Sequence, residues 1–179
     1  MIASTFRKLA RLLLSVGALV SLVYLAATAS AASARTNEPL HMTLEVDARD
    51  VLRGIQHAHI VMPMSAGPMV LAYPKWIPGE HRPNGPITQL VNLRISAGGT
   101  LLDWRRDPKD AFTFHVDVPQ DATALDIRFD YLSPSRTFGP GFGKSPNVTP
   151  DLAYVLFNHL LLYPADENAG RVRVTTHLR

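Results

Sequence analysis

Two neighbouring stretches of the chain alternate apolar and polar residues without a break. Phe112, Phe114, Val116 and Val118 are separated by Thr113, His115 and Asp117. Leu125, Ile127, Phe129 and Tyr131 are separated by Asp126, Arg128 and Asp130. Side chains of a strand leave on opposite faces with a period of two, so each stretch has one face for a core and one for water. The short connection Pro119–Thr123 makes the pair antiparallel neighbours. The same pattern recurs over Leu40–Asp47, Ile55–Met62, Met69–Tyr73, Leu90–Ser96 and Val172–His177. Gly98-Gly99 turns the chain into Leu101–Arg105, which reads as a hairpin. Leu152–Phe157 and Leu160–Tyr163 form a nearly continuous apolar run around Asn158-His159. That suits strands covered on both faces, with a buried helix left open by the period alone. The total is about eight or nine short strands with no amphipathic helix, which predicts an all-β fold, an antiparallel β-sandwich. No segment repeats at a fixed period.

The N-terminus has a different character. Arg7, Lys8 and Arg11 precede an uncharged stretch from Leu12 to Ala34, which ends in Ala29-Ser30-Ala31 and Ala32-Ser33-Ala34. A basic start, an apolar middle and a small-residue end make a helical secretory signal peptide over residues 1–34. Its length also allows an uncleaved anchor, the one route by which this chain would meet a membrane. The domain then occupies residues 35–179, and the chain is expected to be exported, to a bacterial periplasm or beyond. Of 18 Lys and Arg against 15 Asp and Glu, three basic residues fall in the leader, so the two signs balance beyond it. The basic character of the whole chain therefore gives no support for nucleic-acid binding. There is no cysteine, hence no disulfide and no thiolate metal site. The fold rests on its apolar core.

Between the third and fourth strands lies Tyr73-Pro74-Lys75-Trp76-Ile77-Pro78-Gly79-Glu80-His81-Arg82-Pro83-Asn84-Gly85-Pro86. Four prolines forbid a helix or a central strand here, because Pro lacks a backbone donor and fixes φ. Pro78-Gly79 and Asn84-Gly85 are turn signals. The stretch is predicted to be an ordered multi-turn loop. Trp76 is expected to be its buried anchor, plugging the end of the sandwich. Lys75, Glu80, His81 and Arg82 are its polar groups, available to a ligand or a neighbouring domain.

Tyr-Pro-x-Trp-x-Pro-Gly at Tyr73–Gly79 resembles the signature of the N-terminal domain of the glycyl aminopeptidase family, secreted bacterial zinc metallopeptidases (metallopeptidase family 61). Asn158–Pro164 and Val172–Leu178 resemble the same family, so the likeness covers most of the chain after residue 40. Where family members usually carry Tyr soon after Pro-Gly, this chain has Glu80-His81-Arg82. The resemblance implies a β-sandwich ahead of a separate catalytic domain. That domain would hold the zinc and be this domain's partner, the two together shaping a substrate cleft. Tyr73, Pro74, Trp76, Pro78, Gly79, Glu80 and His81 would form the structural and interface loop. The chain stops within an alternating strand, and the expectation is that the catalytic domain is absent from it. A free-standing secreted module that binds peptide or carbohydrate is the alternative.

The residues themselves offer little chemistry. A zinc peptidase of this type needs His-Glu-x-x-His on a helix, so that two imidazoles meet the metal and the Glu polarises water. None of the seven histidines begins that motif. His57-x-His59 places two imidazoles on one strand face, but no third ligand is near in sequence. Gly139–Ser145 has the wrong glycine spacing for a phosphate loop, and Pro146 follows at once where a helix is needed. No Gly-x-Ser-x-Gly elbow is present. The chain as it stands is expected to be non-catalytic, with no cofactor of its own.

Overall fold

The computed structural model describes residues 38–79, 81–133, 148–149, 152–166 and 169–179. The signal-peptide reading of residues 1–34 lies outside them. The described strands are β1 (Leu40–Asp47), β2 (Ile55–Pro63), β3 (Gly67–Ala72), β4 (Leu90–Ala97), β5 (Thr100–Leu102), β6 (Trp104–Arg106), β7 (Thr113–Val118), β8 (Ala124–Leu132), β9 (Val148–Thr149), β10 (Leu152–Ala153), β11 (Tyr163–Pro164) and β12 (Val172–Leu178). One sheet has the order β12-β1-β2-β8-β4-β5 and a second the order β11-β3-β7-β6, while β9 and β10 pair only with each other. The fold is all-β, as the alternation predicts.

The alternation sets the layers. In β1, Met42, Leu44 and Val46 are buried; in β2, Ala58, Ile60 and Met62; in β8, Leu125, Ile127, Phe129 and Tyr131. Leu71 of β3 and Phe114, Val116 and Val118 of β7 face them from the smaller sheet, and all belong to one core cluster. The two inner faces thus share a single dry layer, as a sandwich requires.

Three expectations need correction. The pairs are antiparallel except β1 with β12, which run parallel from Leu40↔Val172 to Val46↔Leu178. Alternation has the same period in either sense, so the sequence pattern is silent on direction. Leu101–Arg105 is not one strand of a hairpin: β5 pairs with β4 in the large sheet, while β6 pairs with β7 in the small one. The chain changes sheets at Asp103. Trp104 packs there, donating its indole N–H to the Leu93 carbonyl at 3.2 Å and meeting the Phe114 ring edge-on at 5.5 Å. The Leu152–Tyr163 run forms only the two-residue strands β10 and β11, with a 3-10 turn at Phe157–Leu160 between them. Leu160 and Leu162 are fully buried there. The run is apolar because it caps the core.

Candidate functional site

Trp104, about a third exposed, lies at the flank of β5 and β6. At the opposite flank, β12 and β11 are the last strands of their sheets in the strand order. A groove of about 320 Å³ lies there. Met42 of β1 and Val172 and Val174 of β12 form one wall, Leu161 and Tyr163 another, and Pro74, Lys75 and Trp76 the third. The proline-rich loop singled out in the sequence therefore borders this groove.

The loop is held by its backbone. Pro78-Gly79 turns with Gly79 at φ 87°, the left-handed conformation a glycine adopts at the third position of a type II turn. The Gly85 amide donates to the Lys75 carbonyl at 2.9 Å, and the Tyr73 amide to the Phe112 carbonyl at 2.8 Å. Lys75 donates to Asp110 at 2.6 Å and lies over the Phe112 ring. The Lys75 ammonium, with the Phe112 amide, holds the Asp110 carboxyl below its ordinary range.

Tyr73, Ile77 and Ile87 are buried, and they anchor the loop. Trp76 does not: 63% of its surface is exposed, contrary to the expected plug. Pro74 is half-buried, whereas Pro78, Gly79 and His81 are exposed on the outer turn. Glu80 lies outside the described residues. The structure thus brings Pro74, Lys75 and Trp76 to the groove, puts Tyr73 beneath it, and leaves Pro78, Gly79 and His81 outside its lining.

A buried polar network joins two groove walls, and the sequence reading missed it. The Tyr73 hydroxyl donates to the His159 carbonyl at 2.9 Å. The Tyr131 hydroxyl meets both the Gln89 side-chain oxygen and His159 Nδ1. Gln89 Oε1 only accepts, so the single Tyr131 proton points there, and His159 Nδ1 carries its own proton toward the Tyr131 oxygen. Burial pushes both tyrosines up and pushes His159 below the ordinary His range. His159 is therefore a neutral structural imidazole, 4% exposed. The Asn158-His159 break in an otherwise apolar run is the sequence signal that marks it.

His57 and His59 share the outer face of the large sheet, as their spacing predicts. They do not converge on a common ion. His57 lies between Asp130 at 2.7 Å and Asp50 at 3.2 Å, and His59 between Asp126 at 2.6 Å and Glu45 at 3.3 Å. Asp130, and after it Asp50, hold the His57 imidazolium above the usual range against partial burial. No group of three or more His, Asp or Glu placed to hold a metal occurs among the described residues.

The profile of the peptidase M61 N-terminal domain matches residues 43–179. The chain belongs to that family. A search of the curated proteins returns no match. Among solved structures, the domain resembles an aminopeptidase N family protein from Idiomarina loihiensis, with a TM-score of 0.61 and 10% identity. The match covers 77% of this chain and 22% of that protein, so the chain spans about a fifth of its structural relative. At that identity the likeness is one of fold.

Proposed function

We propose that this M61 N-terminal domain is a non-catalytic docking domain of an exported glycyl-aminopeptidase-like enzyme. Through the groove beside Trp76 it packs against the zinc-bearing catalytic domain and helps to wall the substrate cleft. The observation that carries this reading is the exposure of Trp76 at the rim of an apolar groove, on a loop that its own backbone fixes. A rigid aromatic at low entropic cost is the residue type that dominates interface energies. The groove walls are Met42, Leu161, Tyr163, Val172 and Val174, and Lys75 is already paired, so burying this surface strands no charge. On this reading the chemistry resides in the partner.

The test is association with a separately expressed M61 catalytic domain, followed by calorimetry. Trp76→Ala should weaken it by tenfold or more, about the effect of losing an interface hot spot. Leu52→Ala, at another exposed apolar position, should leave it unchanged. Equal affinities for the wild type and Trp76→Ala would refute the reading. The free-standing binding module would then be favoured if peptide or oligosaccharide bound the wild type and not the variant.

A further inference from the structure

The two sheets of the sandwich have four edge strands, and three of them are protected. β5 and β6 are three residues long, and β6 carries Arg105 and Arg106. β11 is two residues long and ends in Pro164. Short length, charge and proline each deter an exposed edge from pairing with another chain. β12 is built differently: it runs seven residues from Val172 to Leu178, with β-branched residues at four of its positions, one Arg and no proline. Among the described residues nothing pairs with the side of β12 that faces away from β1.

The backbone direction of β12 follows from its last bonds. The Arg179 amide donates to the Val46 carbonyl at 3.0 Å, and the Arg179 carbonyl accepts from the Ala48 amide at 2.8 Å, so both groups face β1. Backbone groups alternate in direction along a strand, and Val172, Val174, Thr176 and Leu178 therefore turn their N–H and C=O away from β1. Val174, Thr176 and Leu178 register with the buried Met42, Leu44 and Val46, which puts their side chains on the core side of the sheet. That side is half-buried at Val172 and Val174 and exposed at Thr176 and Leu178, with Leu178 at 56%.

We infer that β12 is a self-pairing edge, whose occupant is β12 of a second copy of this chain, antiparallel about a two-fold axis at Thr175. A two-fold interface uses the same patch on both copies, so the strand must match itself. In this register it does. Val172 faces Leu178 of the second copy, Val174 faces Thr176, Arg173 faces His177, and Thr175 faces Thr175. The four residues with outward backbone groups meet one another, and each of those pairs exchanges two backbone hydrogen bonds. On the core side Val172 covers the exposed Leu178, and on the outer side the axis gains a Thr–Thr pair. Glu45, next to His177 in register on β1, sets a carboxylate beside the Arg173–His177 contact. The inference rests on the backbone edge of β12 and not on the docking reading of the groove, and its test needs no catalytic domain.

The chain has no cysteine, so single introduced cysteines report the register. The full chain, kept soluble in a non-ionic detergent, is oxidised with copper phenanthroline, and the disulfide dimer is measured on non-reducing gels. Position 175 meets itself as a non-hydrogen-bonded pair with Cα atoms about 4.5 Å apart, inside the disulfide range of about 4.4–6.8 Å. Thr175→Cys should therefore cross-link about tenfold faster than His177→Cys, which lies on the same face but is opposite Arg173 in the other copy. His177→Cys should cross-link when mixed with Arg173→Cys and not alone. Thr176→Pro removes an outward N–H that the single copy does not use, and in the Thr175→Cys background it should lower the rate to that of His177→Cys. Near-UV circular dichroism verifies that each variant is folded. Thr175→Cys cross-linking no faster than His177→Cys would overturn the inference and leave the edge to a strand of another protein. So would fast cross-linking that survives Thr176→Pro in a folded variant, which would place the contact elsewhere on the chain.

Discussion

Gly85→Ala tests how the proline-rich loop is built. A Cβ on Gly85 would fall deep inside van der Waals contact of the Pro74 carbonyl oxygen, and 3.1 Å and 3.2 Å from the Pro74 carbonyl carbon and Phe112 Cε1. The worst clash is with backbone, which no rotamer change relieves. The Gly85 amide is bonded to the adjacent Lys75 carbonyl at 2.9 Å, so moving the strands of the loop apart also breaks that bond. Overpacking of this kind costs about 1–3 kcal/mol and a lost backbone hydrogen bond about 1 kcal/mol. The substitution should therefore destabilise the domain by about 2–4 kcal/mol and lower Tm by about 5–15 °C. The sign is informative. Gly85 has no left-handed φ, and without the clash Gly→Ala at a compatible φ stabilises by about 0.4–1 kcal/mol. Urea melts of the two proteins give the difference. A cost under about 0.5 kcal/mol would show that the two arms of the loop are not crossed as described.

Two further outcomes follow from the same geometry. Trp76→Ala, at a residue 63% exposed, should cost less than about 1 kcal/mol in a urea melt, in contrast to its effect on partner binding. Stability should also fall on acidification below the unfolded His value of about 6.5. His159 has a lowered folded pKa, so the unfolded chain binds its proton first. That contribution is complete above 6.5 and is lost as pH falls toward the folded value. His57, whose folded pKa is raised, acts the opposite way: its contribution is complete below 6.5 and is lost as pH rises through the folded value. Thermal melts between pH 8 and 4.5 should show a flatter acid limb for His159→Gln and a flatter limb above 6.5 for His57→Gln. Unchanged slopes in the variants would remove these residues from the account.

Much of this architecture is legible in the alternation. β1, β2, β4, β7 and β8 lie where the period of two puts them, because each has one face on the core and one in water. The reading fails where burial is not one-sided. Leu152–Tyr163 is apolar on all sides, and such a run reports burial without reporting conformation. At Asp103 one residue switches the chain between sheets, which a window of several residues averages away. The prolines mark the loop but not its anchor. A Trp among prolines reads as a plug, but Tyr73, Ile77 and Ile87 fill that role. Asn84-Gly85 reads as a turn glycine, whereas Gly85 is needed because the Pro74 backbone passes against it.

The central claim is that Trp76 faces the catalytic domain. The chain has two tryptophans, Trp76 and Trp104, so 5-fluorotryptophan labelling gives two 19F resonances, assigned by Trp104→Phe. An unlabelled M61 catalytic domain is then added. The account predicts that the Trp76 resonance shifts and loses its solvent-isotope effect as the indole leaves water, while Trp104, packed against Leu93 and Phe114 on the far flank, stays in place. A Trp76 resonance that remains unmoved and solvent-exposed in the presence of saturating catalytic domain would contradict it.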